Sequence, residues 1–204
     1  MKNTSERYGW MTKLLHWVGA VFVLNQIVVA IVMLRTPADE TAAGFSQGTL
    51  YNWHKSVGLV FFAVLVGRVA WRWLTPLPGW APNLSGREMR AIHLVERGLY
   101  VCLFAMPLSG FLFVMAGDFG VHFFSTRHLP NVVGVHETLA QAAQWTHRIG
   151  AWMLTALLLA HWTIVGRHEW VHHDRYVHRM LPFTHQAPGT PTATRADGAG
   201  ERTH

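Results

Sequence analysis

The chain has 204 residues, half of them hydrophobic and only 14% charged, with a formal net charge of +6. That length suits one compact domain, and a single cysteine, Cys102, excludes an intrachain disulfide. The positive balance does not point to nucleic acid, because the basic residues sit between long apolar stretches and follow a topological pattern.

Four segments reach the roughly 20 apolar residues that a bilayer crossing needs: about Met11–Leu34, Trp53–Leu74, Ile92–Met115 and Thr146–Val165. They predict an all-α integral membrane four-helix bundle. The first is too long for a signal-peptide core and no clear small-residue cleavage site follows it, so it reads as a retained helix. The first connection, Arg35–Asn52, is rich in Ala, Gly and Thr, whereas the second, Thr75–Arg90, carries Pro76, Pro78 and Pro82 and reads as an ordered loop. The third, about Ala116–Trp145, holds an aromatic patch (Phe119, Phe123, Phe124), then Pro130 and a helix-like stretch from Val135 to Gln144. A connection this long is usually functional or folded on its own, and here it is expected to cap one face of the bundle. Tryptophans cluster near the segment ends as interfacial belts, an expected contact with membrane lipid. From about Gln186 the chain turns Thr/Ala/Gly/Pro-rich, so residues 1–182 are expected to form the membrane domain and 183–204 a disordered cytoplasmic tail.

Charge orients the bundle. Lys2, Arg7, Lys13, Arg72, Arg87, Arg90, Arg167, Arg175 and Arg179 flank one side. The other side holds Arg35, Lys55, Arg127 and Arg148, offset by Asp39, Glu40, Asp118 and Glu137. The positive-inside rule places both termini in the cytoplasm.

With that topology, the histidines of the apolar segments sort by depth. His16 and His161 fall near the inner side, His54 and His147 near the outer side. A histidine facing hydrocarbon is costly and is a functional-site hypothesis by default. His147 and His161 are 14 residues apart, roughly 21 Å of helical rise and within roughly 40° of one face. One helix can therefore present two ligands at two depths, His161 towards His16 and His147 towards His54. Two imidazoles leave zinc or copper short of protein ligands, and no acidic or thiolate group lies at these depths to complete a shell. Haem supplies four nitrogens itself and needs two axial ligands. Gly19, Gly58 and Gly150, each one turn inward of a histidine, would admit a flat macrocycle; helix packing is the alternative reading. His136 competes with His147, being nearly in phase with it. A helix from 136 to 161, however, would be about 37 Å long, more than the hydrocarbon core.

Further candidates surround these positions. Arg68 follows His54 by 14 residues and shares its face at the depth of the inner site. It could meet a haem propionate or a quinone headgroup, or simply snorkel to the interface. Lys55 and Arg148 each follow an outer histidine and are candidate propionate partners, with an ordinary interfacial charge as the alternative. His93, with Glu96 and Arg97, opens the third segment at the inner face and is a candidate for a quinone site. His168, His172, His173 and His178 read as interfacial or solvated.

The strings RYGWMTKLLHW (from Arg7), WHKSVGL (from Trp53), VGRVAWR (from Val66), IHLVERGLYVCLFAMPLSG (from Ile92), THRIGAWML (from Thr146), LLLAHW (from Leu157) and the closing RMLP (to Pro182) together resemble the bacterial cytochrome b561 family. These are small four-helix dihaem membrane cytochromes. The resemblance implies two b-type haems ligated by His16, His54, His147 and His161, electron exchange with ubiquinone in the inner membrane and, for some members, oxidation of superoxide at the outer face. The HETLA string at His136–Ala140 is one that family members can carry at the outer ligand of the fourth helix, whereas alignment through His161 and RMLP favours His147. With both axial positions filled, neither iron would offer an open site, which favours outer-sphere electron transfer. The rival expectations are a cytochrome anchor relaying electrons for a partner redox protein, a dehydrogenase or hydrogenase, and a haem-free transporter with a histidine relay. The absence of Asp and Glu from the helix interiors counts against the transporter.

Overall fold

The structure is a computed structural model that describes residues 2–4, 7–76, 78, 85–171 and 176–181. The expected tail, His172 and His173, and residues 77 and 79–84 of the proline-rich second connection lie outside the described residues. Four long helices run up and down: α1 (Trp10–Arg35), α2 (Gln47–Leu74), α3 (Gly86–Ala116) and α4 (Glu137–Trp170). Two short antiparallel ribbons, β1 (Thr41–Ala42) with β2 (Phe45–Ser46) and β3 (Val121–Phe123) with β4 (Arg127–Leu129), fill the first and third connections. A short α5 (Tyr176–Met180) follows α4. The chain thus has a terminal end, where α1 starts and α4 finishes, and a hairpin end, where β3 and β4 lie.

Each helix is long and apolar enough to cross a membrane. Their outward faces leave Val21, Val28, Val101, Trp152 and Leu159 exposed, the surface that lipid covers in a membrane bundle. The helices begin and end by ordinary chemistry. Ser46 caps α2 by accepting from the Thr49 amide, and Ser85 with Glu88 forms a complete capping box at α3. The expected helix bounds change most at α4. Most of the stretch 135–144, read as a separate piece of the loop, belongs to it from Glu137 onward, because nothing between Gln144 and His147 breaks a helix. At 34 residues α4 is about 51 Å long, so its first turns project beyond a hydrocarbon core. The second helix likewise starts at Gln47 rather than near Trp53, and the third at Gly86 rather than near Ile92.

α1 lies along α2, α3 along α4, and α2 also packs on α3. The mid-level core is Val23, Phe61, Cys102 and Leu154, one residue from each helix, with Phe22 stacked on Phe61 at 5.8 Å. A second cluster of Val114, Met115 and Val121 joins the end of α3 to the hairpin. There the last carbonyls of α3 find partners: Asn131 donates its side-chain amide to Met115 O, and the His136 amide donates to Ala116 O. At the terminal end, Lys13 Nζ and Trp17 Nε1 donate to the Leu181 and Met180 carbonyls, both at 2.8 Å, tying α1 to the segment after α4.

Candidate functional site

Seven-residue steps organise the interior. Seven residues are nearly two turns, drifting only about 20°, so side chains spaced this way stay on one face. On α2 the series is His54, Phe61, Arg68; on α4 it is His147, Leu154, His161; on α1 it is His16, Val23; on α3 it is Cys102, Ser109. The middle members form the apolar core just described. The outer members meet in two pairs.

At the hairpin end the rings of His54 and His147 approach each other with centroids 6.3 Å apart and planes at 81°. At the terminal end the rings of His16 and His161 are 6.5 Å apart with planes at 53°. Each pair joins helices that are not sequence neighbours, as two-helix ligand sites in bundles do. A metal–imidazole bond of about 2.0 Å and a ring nitrogen about 1.15 Å from its centroid put two opposed ligands of one metal about 6.3 Å apart, centroid to centroid. Both pairs have that separation.

The surroundings also suit an axial role. His147 Nδ1 lies 2.9 Å from the Met106 carbonyl, so the proton sits on Nδ1 and the Nε2 lone pair is left for a metal. Such a carbonyl partner is the usual support of a ligating histidine. Pro107 removes one amide from the ladder of α3 beside this turn, and Ser109 Oγ, 3.2 Å from the same Nδ1, donates to Ala105 O. Gly110 leaves the ring its room: a Cβ there would lie 3.1 Å from Cε1 and 3.2 Å from Nδ1 of His147. Opposite, Gln26 donates to the His54 carbonyl, while Gln26 Oε1 and His54 Nδ1 are buried and unpartnered among the described residues. Two buried orphans beside a facing imidazole pair fit a site completed by a group from outside the chain.

Arg68 sits at the other pair. Its Nη2 lies 3.4 Å from His16 Nδ1 and its Nη1 donates weakly to Leu15 O at 3.5 Å, with Tyr100 beneath the guanidinium. A Cβ on Gly19 would touch this guanidinium at 3.6 Å. Nearby, Arg72 pairs with Glu96 at 2.7 Å and also lies over Tyr100.

Lys55 and Arg148, on α2 and α4, each have a partner away from the rings. Lys55 Nζ donates to Gly120 O at 3.0 Å, and Arg148 lies over the Trp145 ring. His136 is the exposed N-cap of α4 and lines a recess of about 510 Å³ with Glu137, Thr138, Leu139 and Ala142; the ring facing His54 is that of His147. Gly58 and Gly150 face Gln26 and Met106 respectively.

Sequence reasoning passed over several residues that shape these sites. Gln26, Ser109 and Gly110 carry no motif of their own, although Ser109 lies seven residues after Cys102. Ser56, fully buried, accepts from the Phe124 amide at 2.8 Å and, with Lys55, fastens the hairpin directly after His54. Asn3 accepts from the Gly9 amide at 2.8 Å and the Thr12 hydroxyl at 2.7 Å, and donates to Thr75, which ties the N-terminal strap to α1 and α2.

Comparison with known proteins agrees with this arrangement. The profile of the family described as prokaryotic cytochrome b561 matches residues 7–183. Among curated proteins, the chain is 28% identical to the cytochrome b561 homolog 2 of Escherichia coli (strain K12) over 182 residues, which covers 88% of this chain and 93% of that relative.

Proposed function

This chain belongs to the prokaryotic cytochrome b561 family, multi-pass cytochromes of the inner membrane that carry electrons with b-type haem, and on that premise we propose that it holds two haems, ligated by His54 with His147 and by His16 with His161. The observation that carries this reading is the pair of opposed imidazole gaps, 6.3 and 6.5 Å between centroids, at two levels of one bundle. When bound, each haem supplies a one-electron iron couple. The chain's own contribution would be two histidine ligands for each haem, and an apolar layer of Val23, Phe61 and Leu154 that keeps water out between the levels.

In this reading the terminal end is cytoplasmic, and the protein passes electrons between a donor at the hairpin end and ubiquinone near the terminal end. With His16 Nε2 as a ligand, its Nδ1 would carry a proton and could not accept from Arg68, whose guanidinium would be free to hold an anionic oxygen, of a haem carboxylate or of the quinone. Tyr100, Arg72, Glu96 and His93 give the same end the polar groups that a quinone headgroup and its protons need. Superoxide is the proposed donor at the hairpin end, where Lys55, Arg127 and Arg148 supply positive charge to attract an anion. Pulse-generated superoxide should reduce the purified oxidised protein; no reduction would remove that donor. A soluble redox subunit that co-purifies would instead indicate an anchor role.

The ligand set is tested by haem quantitation on two variants. His147→Ala should lose one of two haems, whereas His136→Ala should keep both. The reverse result would overturn the assignment.

A further inference from the structure

The hairpin presents a second kind of histidine pair. His122 on β3 and His128 on β4 are direct cross-strand partners, and their rings lie 4.9 Å apart, centroid to centroid, at 67°. Alternation along the strands fixes which way they face. Val121 is buried against α3 and Leu129 packs with it, so the intervening register position, His122 opposite His128, lies on the exposed side. Phe123 and Arg127, the next partners along, fall on the opposite face, which keeps the Arg127 charge off the imidazole side. Neither ring has a side-chain hydrogen bond to another described residue.

The arithmetic that fits the bundle pairs to opposed ligands gives a different answer here. With each centroid about 3.2 Å from a metal, opposed rings stand about 6.3 Å apart, whereas ligands at 90–110° stand roughly 4.5–5.2 Å apart. The observed 4.9 Å lies in the second range. From this we infer that His122 and His128 form an adjacent-ligand site for one borderline divalent transition-metal ion. Imidazole suits copper and zinc, and the general affinity order places Cu2+ first among the divalent ions. Two imidazoles leave such an ion short of protein ligands inside the bundle, but His122 and His128 are exposed, so water can complete the shell here. Direct cross-strand residues already hold their Cβ atoms about 5 Å apart, so little ordering is required on binding.

The hairpin is also anchored rather than loose. Lys55 holds Gly120 O, Ser56 Oγ accepts from Phe124 N while donating to Asn52 O at 2.7 Å, and a Cβ on Gly120 would meet His128 Nε2 at 3.1 Å. The metal would therefore sit on a scaffold fixed to the residues that follow His54. The inference does not rest on the haem reading.

The test uses the purified full chain in detergent, titrated with Zn2+ against a chromophoric chelator and with Cu2+ by electron paramagnetic resonance. About one equivalent of either ion should bind with an affinity that falls roughly tenfold or more in His122→Ala and again in His128→Ala. The Cu2+ signal lost in those variants should carry coupling to two nitrogens. A His172→Ala/His173→Ala variant should keep this equivalent, and unchanged haem spectra will show that the hairpin variants are folded. Equal stoichiometry and affinity in wild type and both hairpin variants would overturn the site, as would loss of the equivalent in the His172/His173 variant instead.

Discussion

Gly110→Ala is the smallest change that tests whether the His147 ring is held for ligation. The added methyl would lie 3.1 and 3.2 Å from two atoms of that ring, against about 3.5–4.0 Å for ordinary contacts, so the ring must retreat by about half an ångström. The same movement stretches the bond from Nδ1 to Met106 O from 2.9 Å to about 3.4 Å, where most of its worth is gone. That bond contributes about 0.5–1.5 kcal/mol, and disturbing such a support typically lowers metal affinity by about 10–100-fold. The expected outcome is less than full occupancy of the hairpin-end haem after purification, with the other haem retained. Pyridine haemochrome content per polypeptide, together with reduced-minus-oxidised spectra, measures this. Alanine is the better helix former by about 1 kcal/mol, so a weaker α3 cannot explain a loss. Gly67→Ala on α2, where no atom lies within 4 Å of the new methyl, is the matched control and should change nothing in the spectra. Two full haems with wild-type spectra and potentials in Gly110→Ala would refute the reasoning.

Arg68→Leu removes the one guanidinium placed at the His16–His161 pair and should lower the reduction potential of the terminal-end haem, since a cation favours the electron-rich state; a redox titration showing both potentials unmoved would mean that Arg68 only reaches the interface. Ser85→Ala deletes the capping box of α3 and should cost about 1 kcal/mol in thermal or denaturant stability while leaving the haem spectra unaltered. Tyr8, ahead of α1, has its phenol pKa raised above the ordinary 10.0, chiefly by burial, with the Arg179 guanidinium over its ring opposing the shift. The folded state therefore keeps this proton where the unfolded chain releases it, so stability is intact below about pH 10 and falls as pH rises through the folded-state pKa. Tyr8→Phe should flatten that alkaline loss in unfolding measured between about pH 9 and pH 11; an equally steep loss in the variant would exclude Tyr8 as its source.

The four helices and the depth of their histidines were legible because membrane crossing needs long apolar runs, and a 14-residue spacing returns a side chain to the same helix face. The start of α4 was not. A polar first stretch and an apolar second one look like loop helix and membrane helix, although the backbone joining them contains no breaker. The hairpin left still less trace. Its turn puts Phe124 and Ser125 at φ of 45° and 59°, where Asn-Gly would be the usual signal. The bond from Phe124 N to Ser56, 68 residues away in sequence, supports that geometry, and no local pattern can announce such a partner. Lys55 shows the same limit: it follows His54 directly, but consecutive residues on a helix point about 100° apart, and its bond to Gly120 O, 65 residues away, has no local signal.

The two kinds of histidine pair make the deeper point. All four bundle positions fall on seven-residue series: α2, running parallel to α4, brings His54 opposite His147, and α1, antiparallel to α4, brings His16 to His161. One register thus sets both pairs and places the Val23, Phe61, Leu154 layer midway, about 10.5 Å of helical rise from each histidine. On the hairpin, by contrast, strand pairing alone sets the separation of His122 from His128, with no reference to helix phase. The separations differ accordingly, 6.3 and 6.5 Å across the bundle against 4.9 Å across the ribbon. The wider separation suits a flat macrocycle between the rings; the narrower one suits a small ion beside them. On the proposed assignments the same residue type would support two different chemistries in one chain, with the backbone element that spaces it deciding which.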